Sequence, residues 1–425
     1  MPPMAGPYCT KLSRMENLRR KEPPGGGRGH SHGHSHGPLP GTSARIERNL
    51  WWAVGGWAVL ALLGVVLLWP GDRGQSAIPD EPRVDGQVES VTIQPCSGTS
   101  VEDLVDCRVL SVLITSGPDS GTHTTLEQAV TTSSARVPTA GDGIVLVASA
   151  GVDGTVYYQF DDYQRSGSMW TLVLLFAVAV VAFGGWRGAG ALAGLGVSIV
   201  VLVGFMLPAL LDGGQPVLVA LAASSVIAFA SLYLAHGLNA STNVALLSTL
   251  AALALTGLLA WAFIGLATLT GLSDESALFL DAIGVHLDAR GLLLAGVVIG
   301  SLGVLDDVTV TQVSAVGELH RARPDLPLAA LYRQALAIGR DHISSTVNTL
   351  FLAYAGAALP LFLLFTETGA AFTDVMNREV VAIEIVRTLV GSIGLIASVP
   401  ISTWLAALVL TRRVGVGGGE AGQTG

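Results

Sequence analysis

Residues 303–318 read GVLDDVTVTQVSAVGE, with two adjacent acids, Asp306 and Asp307, in a segment that otherwise suits lipid. Before them, residues 291–305 carry no charge. A single aspartate near the centre of a membrane helix costs about 2.5–3.5 kcal/mol on the insertion scale. If this segment spans a bilayer, its acids need a partner, a water-filled path or a task. A re-entrant or broken helix is the other reading, because the uncharged run alone falls short of the ~20 residues a crossing needs.

The surrounding chain decides for the membrane. Half of its 425 residues are hydrophobic and 13% are charged, against about a quarter charged in soluble domains. The run LWWAVGGWAVLALLGVVLLW at 50–69 has tryptophans near both ends, where interfacial rings settle. It follows a long polar tail and lacks a small-residue cleavage site, so it reads as an anchor and not a removed signal. Further spans are expected at 168–186, 189–211, 217–235, 244–270, 291–317, 343–365 and 388–410, which makes eight. The fold class expected is a polytopic α-helical membrane protein with a small extracytoplasmic β-rich domain.

Basic residues near span ends set the orientation. The tail before the first span has eight basic residues against three acids, and Arg321, Arg323, Arg333, Arg340, Arg412 and Arg413 fall on the same side. Both termini are therefore expected in the cytoplasm of a bacterial cell, with the protein in its inner membrane. This divides the chain into a disordered cytoplasmic tail (1–49), the first span (50–69), an outer domain (70–167), a seven-helix membrane domain (168–411) and a second disordered tail (412–425). The net charge of −9 is concentrated outside: residues 70–168 hold 14 acids and 5 arginines. No clustered basic surface remains for nucleic acid.

In the outer domain, GQVESVTI, CRVLSVLITSG, GIVLVAS and TVYYQFDDYQ favour β-branched and aromatic residues between Gly and Pro. About five strands and a small barrel are expected. Cys96 and Cys107 fall here, on the oxidising side, and are expected to form a disulfide. In the tail, GHSHGHSHG places His30, His32, His34 and His36 on alternate positions. Neutral imidazoles on a flexible chain bind divalent zinc, nickel or copper, and the competing reading is a disordered tail with incidental affinity. No other cofactor is expected.

Three late segments carry more polarity than lipid-facing helices need. Asp307, Thr311, Ser314 and Glu318 repeat at i, i+4, i+7 and i+11, forming one stripe with Asp306 beside it. Gln312 points elsewhere, so this helix is expected to be surrounded by protein. In GRDHISSTVNTLFLAYAGAALP, Ser344 and Asn348 share one face and Ser345 and Thr349 another, while Arg340, Asp341 and His342 crowd the cytoplasmic end. In the last segment Asn377, Glu384, Arg387, Thr388 and Gly391 share a side, and Glu384 and Arg387 are spaced to pair. Three structural readings compete with a polar path. The hydroxyls and amides can be helix–helix glue, Glu384 and Arg387 can sit at the interface, and the aspartates can form a buried pair with Arg387. Intramembrane carboxylates more often mark an ion or proton path.

GSLGVLDDVTVTQVSAVGEL, IGRDHISSTVNTLFLAYAGAALPL and VAIEIVRTLVGSIGLIASVPI closely resemble the YibE/F-like family of bacterial membrane proteins, over roughly residues 165–412. The resemblance implies a multi-pass membrane protein, often described as a transporter, with no established substrate or mechanism. The function expected is a transporter or channel for a small solute or ion, with metal ions favoured. Asp306 and Asp307 would form its mid-membrane site, and His342, Ser344, Asn348, Glu384 and Arg387 would line the route. The alternative is a sensor or assembly protein whose outer domain binds a ligand or partner. An enzyme is not expected: adjacent carboxylates on a helix diverge by about 100° and cannot form an aspartyl dyad. The partners expected are the bilayer, the transported species, and a second copy or another membrane protein.

Overall fold

Alternating apolar residues between Gly-rich turns build the sheet seen in a computed structural model of the chain. It describes residues 44–71, 82–96, 106–130, 136–151, 155–273, 275–282, 288–367, 369 and 371–411. Five antiparallel strands, β1 (Arg83–Pro95), β2 (Asp106–Ile114), β3 (His123–Ala129), β4 (Gly143–Ala150) and β5 (Val156–Tyr163), lie in the order β3-β2-β1-β4-β5. The sheet curls into a half-barrel. Val84 and Val88, then Leu110, Val112 and Ile114, then Ile144 and Leu146 turn to one buried face, as a period of two requires. Cys96 and Cys107 are disulfide-bonded. Closing a loop of about a dozen residues there stabilises the fold by ~3 kcal/mol in the chain-entropy model. The Tyr158 hydroxyl donates to the Asp119 carboxylate. That bond, helped by partial burial, pushes the phenol up to about 12.

Outside the sheet the described residues are mainly helical: α1 (Ala44–Leu67), α2 (Ser166–Val201), α3 (Leu207–Leu211), α4 (Pro216–His236), α5 (Ala240–Leu266) and α6 (Glu275–Ala282), then α7 (Ala289–Ala322), α8 (Leu328–Ala357), α9 (Leu359–Glu367), α10 (Phe372–Met376) and α11 (Glu379–Thr411). Among the described residues, six helical stretches are long and apolar enough to cross a membrane; a seventh is gained if α8 and α9, bent by 61° at Ala358, count as one. The stretch holding the two aspartates is continuous within α7. The broken element is instead the α8–α9 pair, where Pro360 follows the bend. Pro400 lies inside an unbroken α11.

The two segments expected at 168–186 and 189–211 form one 46-residue helical stretch, Ser166–Leu211. Gly185 interrupts it with φ 56° and ψ −137°, a conformation open to glycine and costly for side chains with a Cβ. A Cβ on Gly188 would lie 3.3 Å from Val180 Cγ1. Along a straight helix those residues would be about 12 Å apart, so the chain reverses at the glycine.

Close contacts fix the register of the other helices. Pro216 abuts Gly291, and Ser231 bonds to Asp306, fifteen residues further along both chains, so α4 and α7 run parallel. On α5, Thr249 meets Thr309 while Gly257 meets Val298, an antiparallel course. The α11 helix runs parallel to α7, with Thr403 bonded to Gln312. The second half of α2 runs against α4: Gly194 backs onto Ser231 and Gly190 onto Leu234 and Ala235. Trp57 of α1 donates to Ser225 of α4 at 3.1 Å. Small residues at these crossings let the backbones approach closely, the usual means of helix association in lipid.

Candidate functional site

Asp306 is the polar centre of the bundle. Its Oδ2 accepts a hydrogen bond from Ser231 Oγ of α4 at 2.8 Å, while its Oδ1 is buried with no hydrogen-bond partner. Thr249 of α5 and Thr309 of α7 share a bond of 2.7 Å beside the carboxyl, and Thr309 also donates to the Asp306 carbonyl at 3.1 Å. The carboxyl thus has hydroxyls of α4 and α5 beside it, while the Thr309 hydroxyl links Thr249 to the Asp306 backbone. The Thr249 and Thr309 side chains are fully buried.

Asp306 is the eighteenth of the 34 residues of α7, near the middle of that helix, and through Ser231 it lies about 8 Å along α4 from the α4–α5 turn.

Asp307, one residue on, turns the other way and is exposed, with no hydrogen-bond or ion-pair partner among the described residues. Thr311 and Glu318 are exposed and Ser314 is half-buried, so the expected stripe exists but lies open. Gln312 is buried, as its different direction implied, and donates to Ala335 O at 3.0 Å and Thr403 Oγ1 at 2.7 Å. The expectation that protein surrounds this helix holds on that side and fails along the stripe. Glu318 pairs with Arg321.

The helix that holds the second expected span, α8, begins at Leu328, fifteen residues before that span, so Arg340, Asp341 and His342 lie mid-helix. Gly339 abuts Gln312, which brings His342, Ser344 and Asn348 to the depth of the aspartates. All three side chains are exposed, as are Ser345 and Thr349. The hydroxyls of Thr346 and Thr349 donate back to the carbonyls of His342 and Ser345, each at 3.0 Å, so they tolerate an apolar setting.

Glu384 and Arg387 do pair, at 2.5 Å, and both are part-buried. The ion pair considered between the aspartates and Arg387 is not the one formed. By residue count along α11, the Glu384–Arg387 pair is about 20 Å along the bundle from Asp306. It borders a cavity of about 230 Å³ lined by Phe351, Tyr354, Phe362, Glu384 and Thr388. Asn377 belongs to the segment before α11. A larger cavity, about 760 Å³, opens beside Trp261, Asp288 and Arg290, away from the aspartates.

No group of three or more His, Cys, Asp or Glu able to hold a metal occurs among the described residues. His30, His32, His34 and His36 lie outside them. The residues sequence reasoning missed are Ser231, Thr249 and Thr309. Their hydroxyls are three among many in α4, α5 and α7, and only tertiary register shows that they converge.

A family model described as YibE/F-like protein matches residues 172–412, more than half of the chain. No curated protein and no solved structure matches.

Proposed function

The chain belongs to the YibE/F-like family, and on that premise we propose that it transports a small solute or ion across the inner membrane of a bacterial cell. The observation that carries the reading is Asp306: a part-buried carboxyl whose Oδ1 is buried without a hydrogen-bond partner, whose Oδ2 accepts from Ser231, and which meets no guanidinium among the described residues. Keeping such a group costs stability, and in membrane proteins that cost is characteristic of ion and proton pathways.

The path has two ends. On one side Asp307, Thr311, Ser314 and Glu318 of α7, with His342, Ser344 and Asn348 of α8, form a polar strip on the open face of α7. On the other, Glu384, paired with Arg387, borders the smaller cavity. Transport requires that the helices around Asp306 part alternately toward the two sides.

The reversal at Gly185 supports reading the α2–α3 stretch as two crossings, since 46 residues would reach about 69 Å as one helix, over twice a bilayer core. With α8 and α9 as one broken span, the chain crosses eight times. Both termini then lie in the cytoplasm and the half-barrel lies outside, where its disulfide persists.

The test uses full-length protein in vesicles under imposed gradients of sodium, potassium, magnesium, manganese or zinc, with flux followed by ion-sensitive dyes. Protein-dependent flux of at least one ion, abolished by Asp306→Asn, is expected. Fluxes equal to those of empty vesicles for every ion, or full activity of the Asn variant, would remove the proposal.

A further inference from the structure

We infer that the chamber formed by Asp306, Ser231, Thr249 and Thr309 binds one small monovalent cation, either a dehydrated sodium ion or a proton, and not a divalent metal. This deepens the transport reading and rests on Asp306 being its loaded site.

A single carboxylate supplies one negative charge, and the Asp307 carboxylate cannot add a second, because adjacent positions diverge by about 100° and its side chain lies on the exposed face. A divalent ion in this apolar setting would keep one positive charge uncompensated, at a cost that burial magnifies. Next comes the donor set. Magnesium demands six near-ideal octahedral ligands and usually keeps several waters, while calcium takes six to eight oxygens. Zinc and its neighbours favour imidazole and thiolate, which this chamber lacks. Two carboxyl oxygens and the Ser231 and Thr249 hydroxyls, backed by Thr309 through its bond to Thr249, suit a hard ion of single charge.

The unpartnered Oδ1 points to an incomplete shell. A buried oxygen with no donor costs about 1–3 kcal/mol, more if charged, and a bound cation removes that cost. The groups around the carboxyl compete little for it. The α4 helix presents Ser231 and α5 presents Thr249, neither of them charged. On the α2 side Gly194 closes the chamber behind Ser231. The charged neighbour is Asp307 on the same helix, and its sign favours a cation.

Direct binding is measured on full-length protein in detergent, with radioactive sodium in choline chloride at constant ionic strength, and with proton uptake in weak buffer between pH 8 and pH 5. If sodium is the ligand, one site per chain saturates. Asp306→Asn abolishes it, and Ser231→Ala and Thr249→Val weaken it about tenfold while leaving the protein monodisperse. If the proton is the ligand, sodium does not bind and the wild type takes up one proton more than the Asn variant. Either result supports the inference. It is overturned if wild type and Asp306→Asn agree in both assays, or if manganese or zinc binds in an Asp306-dependent manner. Binding with no flux of any tested ion would sink transport and spare this site; flux with no binding at Asp306 would do the reverse.

Discussion

The bond from Ser231 to Asp306 lends itself to a quantitative test, because its removal leaves a buried carboxyl without its one clear donor. At 2.8 Å the geometry is favourable. A hydrogen bond to a charged group contributes about 1.5–3 kcal/mol to stability and one between neutral groups about 0.5–1.5. Ser231→Ala is therefore expected to destabilise the native chain by an amount that depends on the state of the carboxyl. Placed on an Asp306→Leu background, where the acceptor is gone, the same substitution should cost almost nothing. The difference is the coupling energy, and a double-mutant cycle isolates it. Unfolding in mixed micelles with rising SDS, followed by tryptophan fluorescence, supplies the four free energies. Coupling above about 1.5 kcal/mol would show the bond supporting an ionised group, and 0.5–1.5 a neutral one. A value inside the ~0.3–0.5 kcal/mol scatter of independent sites would refute the claim that these helices meet at a shared polar contact.

Two further outcomes test the regions on either side of that contact. Gly185 should tolerate side chains poorly: Gly185→Leu must adopt a positive φ, at about 1–2 kcal/mol, and a cysteine at 186 in wild type should react with impermeant thiol reagents from the side opposite one at 213. In the half-barrel, the phenol of Tyr158 is raised toward about 12 by its bond to Asp119. A proton retained in the folded state but lost sooner in the unfolded one contributes stability below pH 10, and that contribution disappears between about pH 10 and 12. Ultraviolet titration of full-length protein should show a tyrosine ionising late and missing in Tyr158→Phe; simultaneous early ionisation of every tyrosine would contradict the contact.

Much of this architecture is written in local pattern. Apolar runs of bilayer length mark the spans, and period-two alternation marks strands such as β2 and β4. Cys96 and Cys107 in the same domain announce their bond, and the three-residue spacing of Glu384 and Arg387 announces their pair. What failed depended on partners. The stripe from Asp307 to Glu318 was visible as a stripe, yet periodicity does not say whether a neighbouring helix covers it. Polarity does not mark a helix end: GRDH, read as the edge of a span, lies in the middle of α8. Ser231, Thr249 and Thr309 were not singled out because α4, α5 and α7 each carry several hydroxyls and sequence does not say which of them face one another.

The contrast between Asp306 and Asp307 shows what register does to identical chemistry. They are neighbours in sequence with the same side chain, separated by one 100° step around α7. That step places one carboxyl among Ser231, Thr249 and Thr309 and leaves the other on an open face at the same depth. An exposed aspartate can stay hydrated through snorkelling or local thinning of the bilayer, so Asp307 needs no protein partner to persist. Asp306 has no such escape, since Oδ1 is sealed from water. Its persistence requires either a cation beside it or an opening that admits one, and the nearer end of α4 is the α4–α5 turn, about 8 Å away. The helix that must yield is the second half of α2, whose Gly190 and Gly194 seat directly on α4 beside Ser231. Side chains at those two glycines would push α2 off α4. If access to Asp306 opens there, Gly194→Ala should hold the chamber partly open and accelerate ion exchange at Asp306 while lowering stability. Unchanged exchange in that variant would place the opening elsewhere.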